Sequence, residues 1–240
     1  MPQPAVTALR CLDILLSVAF QTTCLICEKV CGARPLCENC SVFEQIPASI
    51  CARCGEPAPQ AIHECGRCSQ EFLLGIQRCR SSYLLNDNCR HVLHTIKYRK
   101  HKRLLDLFKE SVQHLEFPSD AIVVPVPMHW KKRLERGFNQ SEILADWFSA
   151  RFAVDKSHLR KKKRTTPQVF LTKQERKQNQ GEFYFWDSSH IPESVILVDD
   201  VLTTGATLEA CAKALKRAGT KEIYAWTLFR TIARHQSGHL

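Results

Sequence analysis

The sequence contains no hydrophobic run long enough to cross a membrane. The apolar stretch at residues 14–20 is far shorter than the roughly 20 residues that a membrane-spanning helix needs. A small-x-small cleavage motif is also missing, which argues against a secretory signal peptide. We therefore expect residues 1–23 to form an amphipathic helix that packs on a cytoplasmic protein without a membrane span.

Acidic residues are scarce relative to basic ones. Lysine and arginine number 34 against 24 aspartate and glutamate residues, giving a formal net charge of +10. This excess favours polyanionic partners, such as nucleic acid or phosphorylated ligands. A chain of 240 residues is long enough for one large domain or two modest ones.

Cysteine is abundant, with 13 residues, and eight of them form four Cys-x-x-Cys pairs. Two such pairs complete a closed tetrahedral site, so the spacing predicts two structural zinc ions in a reducing compartment. Pairing in sequence order is the simplest arrangement, crossed pairing stays open, and a redox role for one pair is the alternative. The predicted ligands are Cys24, Cys27, Cys37, Cys40, Cys51, Cys54, Cys65 and Cys68.

Residues 82–115 show helical periodicity. Cys89, Val92, Leu93 and Ile96 form one apolar stripe, and a second helix begins near Leu104. The basic segment between the two helices is either a solvated junction or a contact to a nucleic-acid backbone with an aromatic ring for stacking. Its residues are Lys97, Tyr98, Arg99, Lys100, Lys102 and Arg103.

Residues 121–127 read as a buried strand stopped by prolines, a place where open α/β sheets bind ligands. Beyond this strand, Asn139 is the predicted N-cap of a helix that runs to about residue 152. A further strand is expected at residues 223–229.

Residues 195–208 carry the strongest signal. A short apolar strand is followed by two carboxylates, a small hydroxyl-rich loop and a helix. Loop amides and the helix dipole suit a phosphate, and the carboxylates suit ribose hydroxyls. An ordinary strand–turn–helix with an acidic turn is the alternative. The candidate residues are Asp199, Asp200, Val201, Thr203, Thr204, Gly205, Ala206 and Thr207.

This stretch resembles the phosphoribosyl-pyrophosphate signature of type I phosphoribosyltransferases. Together with the Cys-x-x-Cys repeats, Pro-Val-Pro at 125–127 and Arg-Gly-Phe-Asn-Gln at 136–140, it resembles the ComF/GntX family over about residues 24–231. The resemblance implies that the acidic pair binds the ribose hydroxyls and that Thr203–Thr207 wraps the 5′-phosphate. It also implies a pyrophosphate loop and lid that include Pro125, Val126, Pro127, Arg136, Arg164, Gln168 and Arg176. The basic run 160–164 fits a lid, a DNA contact or plain surface equally well.

We therefore expect an α/β fold, with a type I phosphoribosyltransferase-like parallel sheet flanked by helices and a small N-terminal double zinc-ribbon module. The expected divisions are the module at 24–75, the sheet domain at 82–232 and a loose tail at 233–240. The family resemblance implies binding of phosphoribosyl pyrophosphate with magnesium and a role in natural competence, handling incoming single-stranded DNA beside helicase or recombination-mediator proteins. No acceptor-specific base stands out, so an active phosphoribosyltransferase in nucleotide or base salvage, with an unknown acceptor, remains the alternative.

Overall fold

The computed structural model describes residues 22–162 and 184–232. The described residues divide into two compact units. One contains residues 22–44 and 86–104, and the other contains residues 45–85, 105–162 and 184–232. The predicted N-terminal helix lies outside the described residues, except for Thr22 and Thr23, and the predicted tail lies outside them entirely. The module and domain boundaries expected above stay predictions.

The helices and strands alternate along most of the described chain. The helices are α1 (Gly66–Ser69), α2 (Asp87–Arg99), α3 (Trp130–Arg136), α4 (Gln140–Asp146) and α5 (Ala206–Ala218), with 3-10 helices at Glu38–Ser41 and Lys102–Val112. The strands are β1 (Arg78–Leu84), β2 (Ile122–Pro125), β3 (Leu159–Lys161), β4 (Tyr184–Trp186), β5 (Ser194–Leu202) and β6 (Glu222–Arg230). Within these residues, none of the helices has the length and apolar character that a membrane crossing requires.

Helix α2 belongs to the first unit and confirms the predicted apolar stripe. The four stripe residues are all buried, and the Asn86 side chain caps the helix by accepting a hydrogen bond from the Cys89 amide at 2.9 Å. The helix ends where Lys100 takes a left-handed conformation with φ of 60°. The second helix expected after it is a 3-10 helix, Lys102–Val112.

The second unit contains a four-stranded sheet in the order β1-β6-β5-β2, and every neighbouring pair is parallel. This confirms the predicted parallel α/β architecture. Strands β3 and β4 form a separate antiparallel pair. Helix α4 packs on β2 and β5, whereas α5 packs on β4 and β5.

The alternation of side chains along β5 explains why the sheet is covered on both faces. Val195 and Leu197 belong to a buried cluster that includes Leu208 and Leu215 of α5. Ile196, between them, points to the opposite face of the sheet. On that face the rings of Trp226 and Phe148 pack edge-on, with their centres 5.3 Å apart.

The helical pattern expected from residue 82 is wrong for residues 82–84, which belong to strand β1, and α2 begins only at Asp87. Strand β1 is not predicted from the sequence.

Strand β5 and helix α4 differ in length from the sequence-based expectation. The sequence predicts that strand β5 ends at Val198, but the strand continues to Leu202, because β6 pairs with it through Leu202↔Arg230. Helix α4 begins after the expected N-cap, Asn139, but ends at Asp146 instead of near residue 152. Turns follow it, so Phe148 and Phe152 are buried without helical continuity.

The second group of cysteines is attached to the sheet through a buried ion pair. Arg230, at the end of β6, is fully buried and donates to the carboxylate of Glu56 and, at 2.6 Å, to the carbonyl of Cys54. Backbone contacts add to this, since the Cys79 amide of β1 donates to the Arg53 carbonyl at 2.7 Å. The cysteine loop is therefore part of the same folded body as the sheet.

Replacing Glu56 with alanine should destabilise this unit strongly, because the guanidinium of Arg230 would remain buried without its carboxylate. Breaking such a pair costs about 3–5 kcal/mol. Urea unfolding followed by the fluorescence of the buried Trp226 measures the change. Glu193→Ala is the control, since Glu193 pairs with Lys221 on the surface and its loss should leave unfolding unchanged. Equal unfolding curves for both variants would contradict the structural role of the buried pair.

Candidate functional site

Asp199 and Asp200 lie where strand β5 loses its neighbour on one edge. Strand β2 pairs with β5 as far as Pro125 opposite Val198, whereas β6 continues on the other edge. The amide of Val126 still donates to the Val198 carbonyl at 2.9 Å, but the prolines on either side of Val126 have no N–H to extend the ladder. The two half-buried carboxylates therefore lie at the carboxyl ends of parallel strands, where such sheets bind ligands.

The orientation of Asp199 is fixed by two hydrogen bonds. The hydroxyl of Ser141 donates to Oδ1 of Asp199 at 2.9 Å, and the amide of Asp200 donates to the same oxygen at 2.9 Å. Ser141 is buried in the first turn of α4. One oxygen of Asp199 is thus held by the protein in a single direction.

Asn139 links this arrangement to the proline loop. Its side-chain nitrogen donates to the Val126 carbonyl at 3.0 Å, while its side-chain oxygen accepts from the Ser141 amide at 3.2 Å. The residue is 2% exposed. The Arg-Gly-Phe-Asn-Gln segment therefore connects the loop after β2 to the helix that orients Asp199.

The small-residue loop leads directly into helix α5. Gly205 is the N-cap with φ of 81°, a left-handed conformation that favours glycine, and Thr204 Oγ1 accepts from the Ala206 amide at 3.4 Å. Thr203, Thr204 and Thr207 are exposed. The first amides of a helix have no partner within it, so this end of α5 presents donors and a positive dipole beside the acidic pair.

Tyr184 and Cys211 lie near Asp199, and both are uncharged at neutral pH. Lys161 Nζ donates to the Tyr184 hydroxyl at 2.8 Å. Burial raises the pKa of Tyr184, and nearby Cys211 and Asp199 raise it further. Burial, reinforced by the charge of Asp199, also raises the pKa of Cys211. Both groups therefore stay protonated at neutral pH.

The eight predicted cysteine ligands form two separate clusters, each paired in sequence order. In each cluster the four sulfur atoms lie within 4.8 Å of one another. The first cluster contains Cys24, Cys27, Cys37 and Cys40, and the second contains Cys51, Cys54, Cys65 and Cys68.

The sulfur spacing fits a tetrahedral metal ion. Zinc–sulfur bonds of about 2.3 Å place the sulfurs of a tetrahedron about 3.8 Å apart. The Sγ–Sγ distances are 3.6 Å for Cys27–Cys37, 3.6 Å for Cys54–Cys65 and 3.9 Å for Cys51–Cys68. Each cluster can hold one ion, and an all-thiolate set favours zinc. All twelve cysteines among the described residues are free of disulfides.

The thiols within a cluster differ in acidity. Burial opposes ionisation of Cys24 and Cys51, but backbone amides that donate to their sulfurs outweigh it and lower their pKa values to about 6 and about 7. Burial raises the pKa of Cys54 to about 11 and, with neighbouring thiols, raises those of Cys40 and Cys68 as well. Metal binding must therefore displace protons, and affinity should rise with pH.

Comparison with known proteins identifies the family. Residues 137–237 match the phosphoribosyl transferase domain. Competence protein ComFC of Bacillus subtilis is 30% identical over 209 residues, which cover 82% of this chain and 84% of that protein. The chain belongs to the ComF family. Competence protein F of Haemophilus influenzae is 27% identical over 224 residues, covering 90% and 93%, and DNA utilization protein YhgH of Escherichia coli K12 is 26% identical over 211 residues, covering 82% and 91%.

The structure brings most of the residues predicted from the ComF resemblance to one edge of the sheet. Pro125 to Pro127 lie at the carboxyl end of β2 and just after it, and Asp199 to Thr207 lie at the carboxyl end of the adjacent parallel strand β5 and in the loop after it. Arg136 ends helix α3, where Arg133 is already paired with Glu142 through contacts of 2.5 and 3.2 Å. Arg164, Gln168 and Arg176 lie outside the described residues. The roles of all these residues stay predictions.

The basic segment 97–103 belongs to the same unit as the first cysteine cluster. Tyr98 is 66% exposed, and its ring lies 4.7 Å from that of His94. Arg99 Nη1 donates to the Leu25 carbonyl at 3.3 Å, which links the end of α2 to the first cysteine knuckle.

Three positioning residues are not predicted from the sequence. Ser141, Asn139 and Lys161 make their contacts to residues 13 to 58 positions away. The sequence identifies Asn139 as a helix cap within the Arg-Gly-Phe-Asn-Gln motif and Lys161 as part of the basic run 160–164, but not the contacts that either residue makes. The sequence does contain a signal for Ser141. This residue follows the predicted N-cap by two positions and so lies in the first turn of the helix, which packs beside the strand that carries the acidic pair.

Each cluster should bind one zinc ion independently. Cys27→Ser and Cys65→Ser should each lower the zinc content from two ions per chain to one, because three thiolates no longer close a tetrahedral site. Elemental analysis after dialysis against a mild chelator measures this content. Cys31→Ser should retain both ions, since Cys31 lies beside the first cluster but outside its four ligands. Loss of both ions from either ligand variant would contradict two independent sites.

Proposed function

We propose that this ComF-family protein binds phosphoribosyl pyrophosphate with magnesium and acts in natural competence, where it handles incoming single-stranded DNA in the cytoplasm. The observation that carries the proposal is the fixed Asp199 carboxylate at the open end of β5, beside the amide-rich start of α5. A sugar phosphate has hydroxyl groups that can donate hydrogen bonds to the carboxylates, and a phosphate that can accept hydrogen bonds from the amides.

Each part of the ligand has a proposed partner. Asp199 and Asp200 accept hydrogen bonds from the ribose 2′ and 3′ hydroxyls, and the loop Thr203–Thr207 donates to the 5′-phosphate. The loop at Pro125–Pro127, together with Arg136, faces the pyrophosphate. Magnesium would neutralise charge between the acidic pair and the phosphate oxygens, a role for which carboxylates are its usual protein ligands.

The competence role rests on the relatives. Two of them are named competence proteins, and others carry the name DNA utilization protein. The net charge of +10 agrees with a polyanionic partner. We propose that residues 97–103 contact the DNA, because an exposed ring among cations can stack on a base while the cations contact phosphates. Helicase or recombination-mediator proteins are the proposed protein partners.

Removing both carboxylates should abolish sugar-phosphate binding without affecting the metal clusters. Asp199→Asn with Asp200→Asn loses two charged hydrogen-bond acceptors, each worth about 1.5–3 kcal/mol, so affinity should fall at least about a hundredfold. Calorimetric titration of phosphoribosyl pyrophosphate and magnesium into zinc-loaded protein measures it. Asp106→Asn with Asp120→Asn removes the same charge from exposed positions and should bind normally. Normal binding by the Asp199 and Asp200 variant would refute the assignment of the acidic pair.

Single-stranded DNA binding should depend on Tyr98. Loss of one stacked base costs about 1–3 kcal/mol, so Tyr98→Ala should weaken binding to an oligothymidine about five- to hundredfold, as measured by fluorescence anisotropy. Lys97→Ala and Lys100→Ala should each make the dependence of affinity on salt less steep.

The comparison variant for this experiment is Trp130→Ala. Trp130 is 43% exposed on α3, next to three basic residues, and offers the same chemistry elsewhere on the chain. A loss of binding in Trp130→Ala with none in Tyr98→Ala would move the interface to α3 and overturn the proposed contact at residues 97–103.

A further inference from the structure

The segment between the second cysteine cluster and strand β1 has an unusual backbone. We call residues 70–76 the strap. It begins directly after the Cys65-x-x-Cys68 knuckle and contains two non-glycine residues in the left-handed region, Glu71 with φ of 64° and Leu73 with φ of 58°. Such conformations persist only where the surrounding structure determines them, and they concentrate at binding and switch regions.

One side of the strap is held by the cysteine knuckle. The Glu71 amide donates to the Cys68 carbonyl at 3.1 Å, and the Phe72 amide donates to the Arg67 carbonyl at 3.0 Å. The Arg67 guanidinium carbon lies 3.7 Å from the centre of the Phe72 ring. The conformation of the strap therefore depends on the shape of a knuckle that contributes two of the four sulfurs of the second cluster.

The other side of the strap contacts the loop that leads into helix α5. The Leu73 amide donates to Glu209 Oε1, in the first turn of that helix, at 2.8 Å. A Cβ atom on Gly205 would come within 2.9 Å of both Leu73 and Phe72, so the two side chains rest directly on the backbone of Gly205. Phe72 is 8% and Leu73 is 2% exposed.

Gly205 determines how the loop presents its amides. It is the N-cap of α5, and the amides that follow it are those assigned above to the 5′-phosphate. The space above it is filled by the strap, so the loop cannot move toward that side while the strap is in place. A displaced strap would release both the backbone of Gly205 and the carboxylate of Glu209.

We propose that Phe72, Leu73 and Glu209 are positioning residues for the phosphate loop, and that a metal ion at the second cluster and an anion at residues 203–207 therefore favour each other's binding. The anion half of this statement rests on the proposed function. Coupling of this kind is reciprocal: the factor by which metal strengthens anion binding equals the factor by which the anion strengthens metal binding.

The first experiment needs no phosphorylated ligand. Amide hydrogen exchange is compared between zinc-loaded wild-type protein, Cys65→Ser and Cys27→Ser. Loss of metal from the second cluster in Cys65→Ser should speed exchange about tenfold in residues 70–76 and also in residues 203–209. Cys27→Ser loses its ion from the other unit and should leave both segments unchanged. Faster exchange in the strap with an unchanged phosphate loop would overturn the proposal.

The second experiment leaves every metal ligand of the second cluster in place. It therefore tests the coupling between the strap and the metal site even if Cys65→Ser fails to fold. In a Cys27→Ser background, the zinc affinity of the second cluster, measured at equilibrium by competition with a chromophoric chelator, is compared for Glu209→Ala and Glu209→Gln. The alanine variant removes the acceptor for the Leu73 amide and should bind zinc about five- to tenfold more weakly. Glutamine retains a carbonyl oxygen and should restore the affinity. Equal affinities in the alanine variant and its parent would overturn the proposal.

Adding phosphoribosyl pyrophosphate with magnesium to the same assay separates the two proposals. If both hold, the ligand should raise the zinc affinity of the parent about fivefold and have a smaller effect on Glu209→Ala. A Glu209→Ala effect without any response to the ligand would retain the positioning role of the strap and reject the proposed ligand. Ligand binding seen by calorimetry without any change in zinc affinity would overturn the coupling alone.

Discussion

Strand β5 is paired on both edges as far as Val198 and on only one edge beyond it. This unequal pairing is the constraint on which the candidate site depends. Pro125, the last residue of β2, and Pro127 just after it have no N–H to continue the ladder, while β6 keeps β5 extended through Leu202. Asp199 and Asp200 therefore belong to a strand that is still paired with β6, instead of to a turn. A carboxylate on a rigid strand loses less conformational freedom when it binds a ligand.

Much of this arrangement is encoded locally and is predictable. The local signals are the Cys-x-x-Cys spacing, the N-cap Asn139, the apolar stripe of α2 and the acidic pair followed by a small-residue loop. Each of them lies within one short stretch of the sequence. The contacts that orient the site are not local. Ser141 reaches Asp199 across 58 positions, and Leu73 reaches Glu209 across 136. The sequence underestimates the length of β5 for the same reason, since two carboxylates are typical of a strand end, and only pairing with β6 carries the strand past them.

The two cysteine clusters have the same ligands but different surroundings. The first shares its unit with α2 and the basic segment, whereas the second is joined to β1 and β6 by the Glu56–Arg230 pair and by backbone contacts. Sequence spacing could not reveal this difference, because the motifs are nearly identical. A closed tetrathiolate site has no open coordination position for chemistry, so each ion would act on the structure around it. In the second cluster that structure includes the strap on Gly205.

The charge of the site argues for a cation between protein and ligand. In the proposed binding mode, Asp199 and Asp200 lie close to a diphosphate, and like charges at short range repel. Tyr184 and Cys211 stay protonated and add no negative charge, while Arg133 is already paired with Glu142. The dipole of α5 is equivalent to about half a positive elementary charge at the start of the helix. It would therefore offset only part of the ligand's negative charge. A divalent ion held beside Asp199 and Asp200 would offset the remaining repulsion, and we therefore expect the proposed sugar-phosphate binding to require magnesium even if no bond of the ligand is broken.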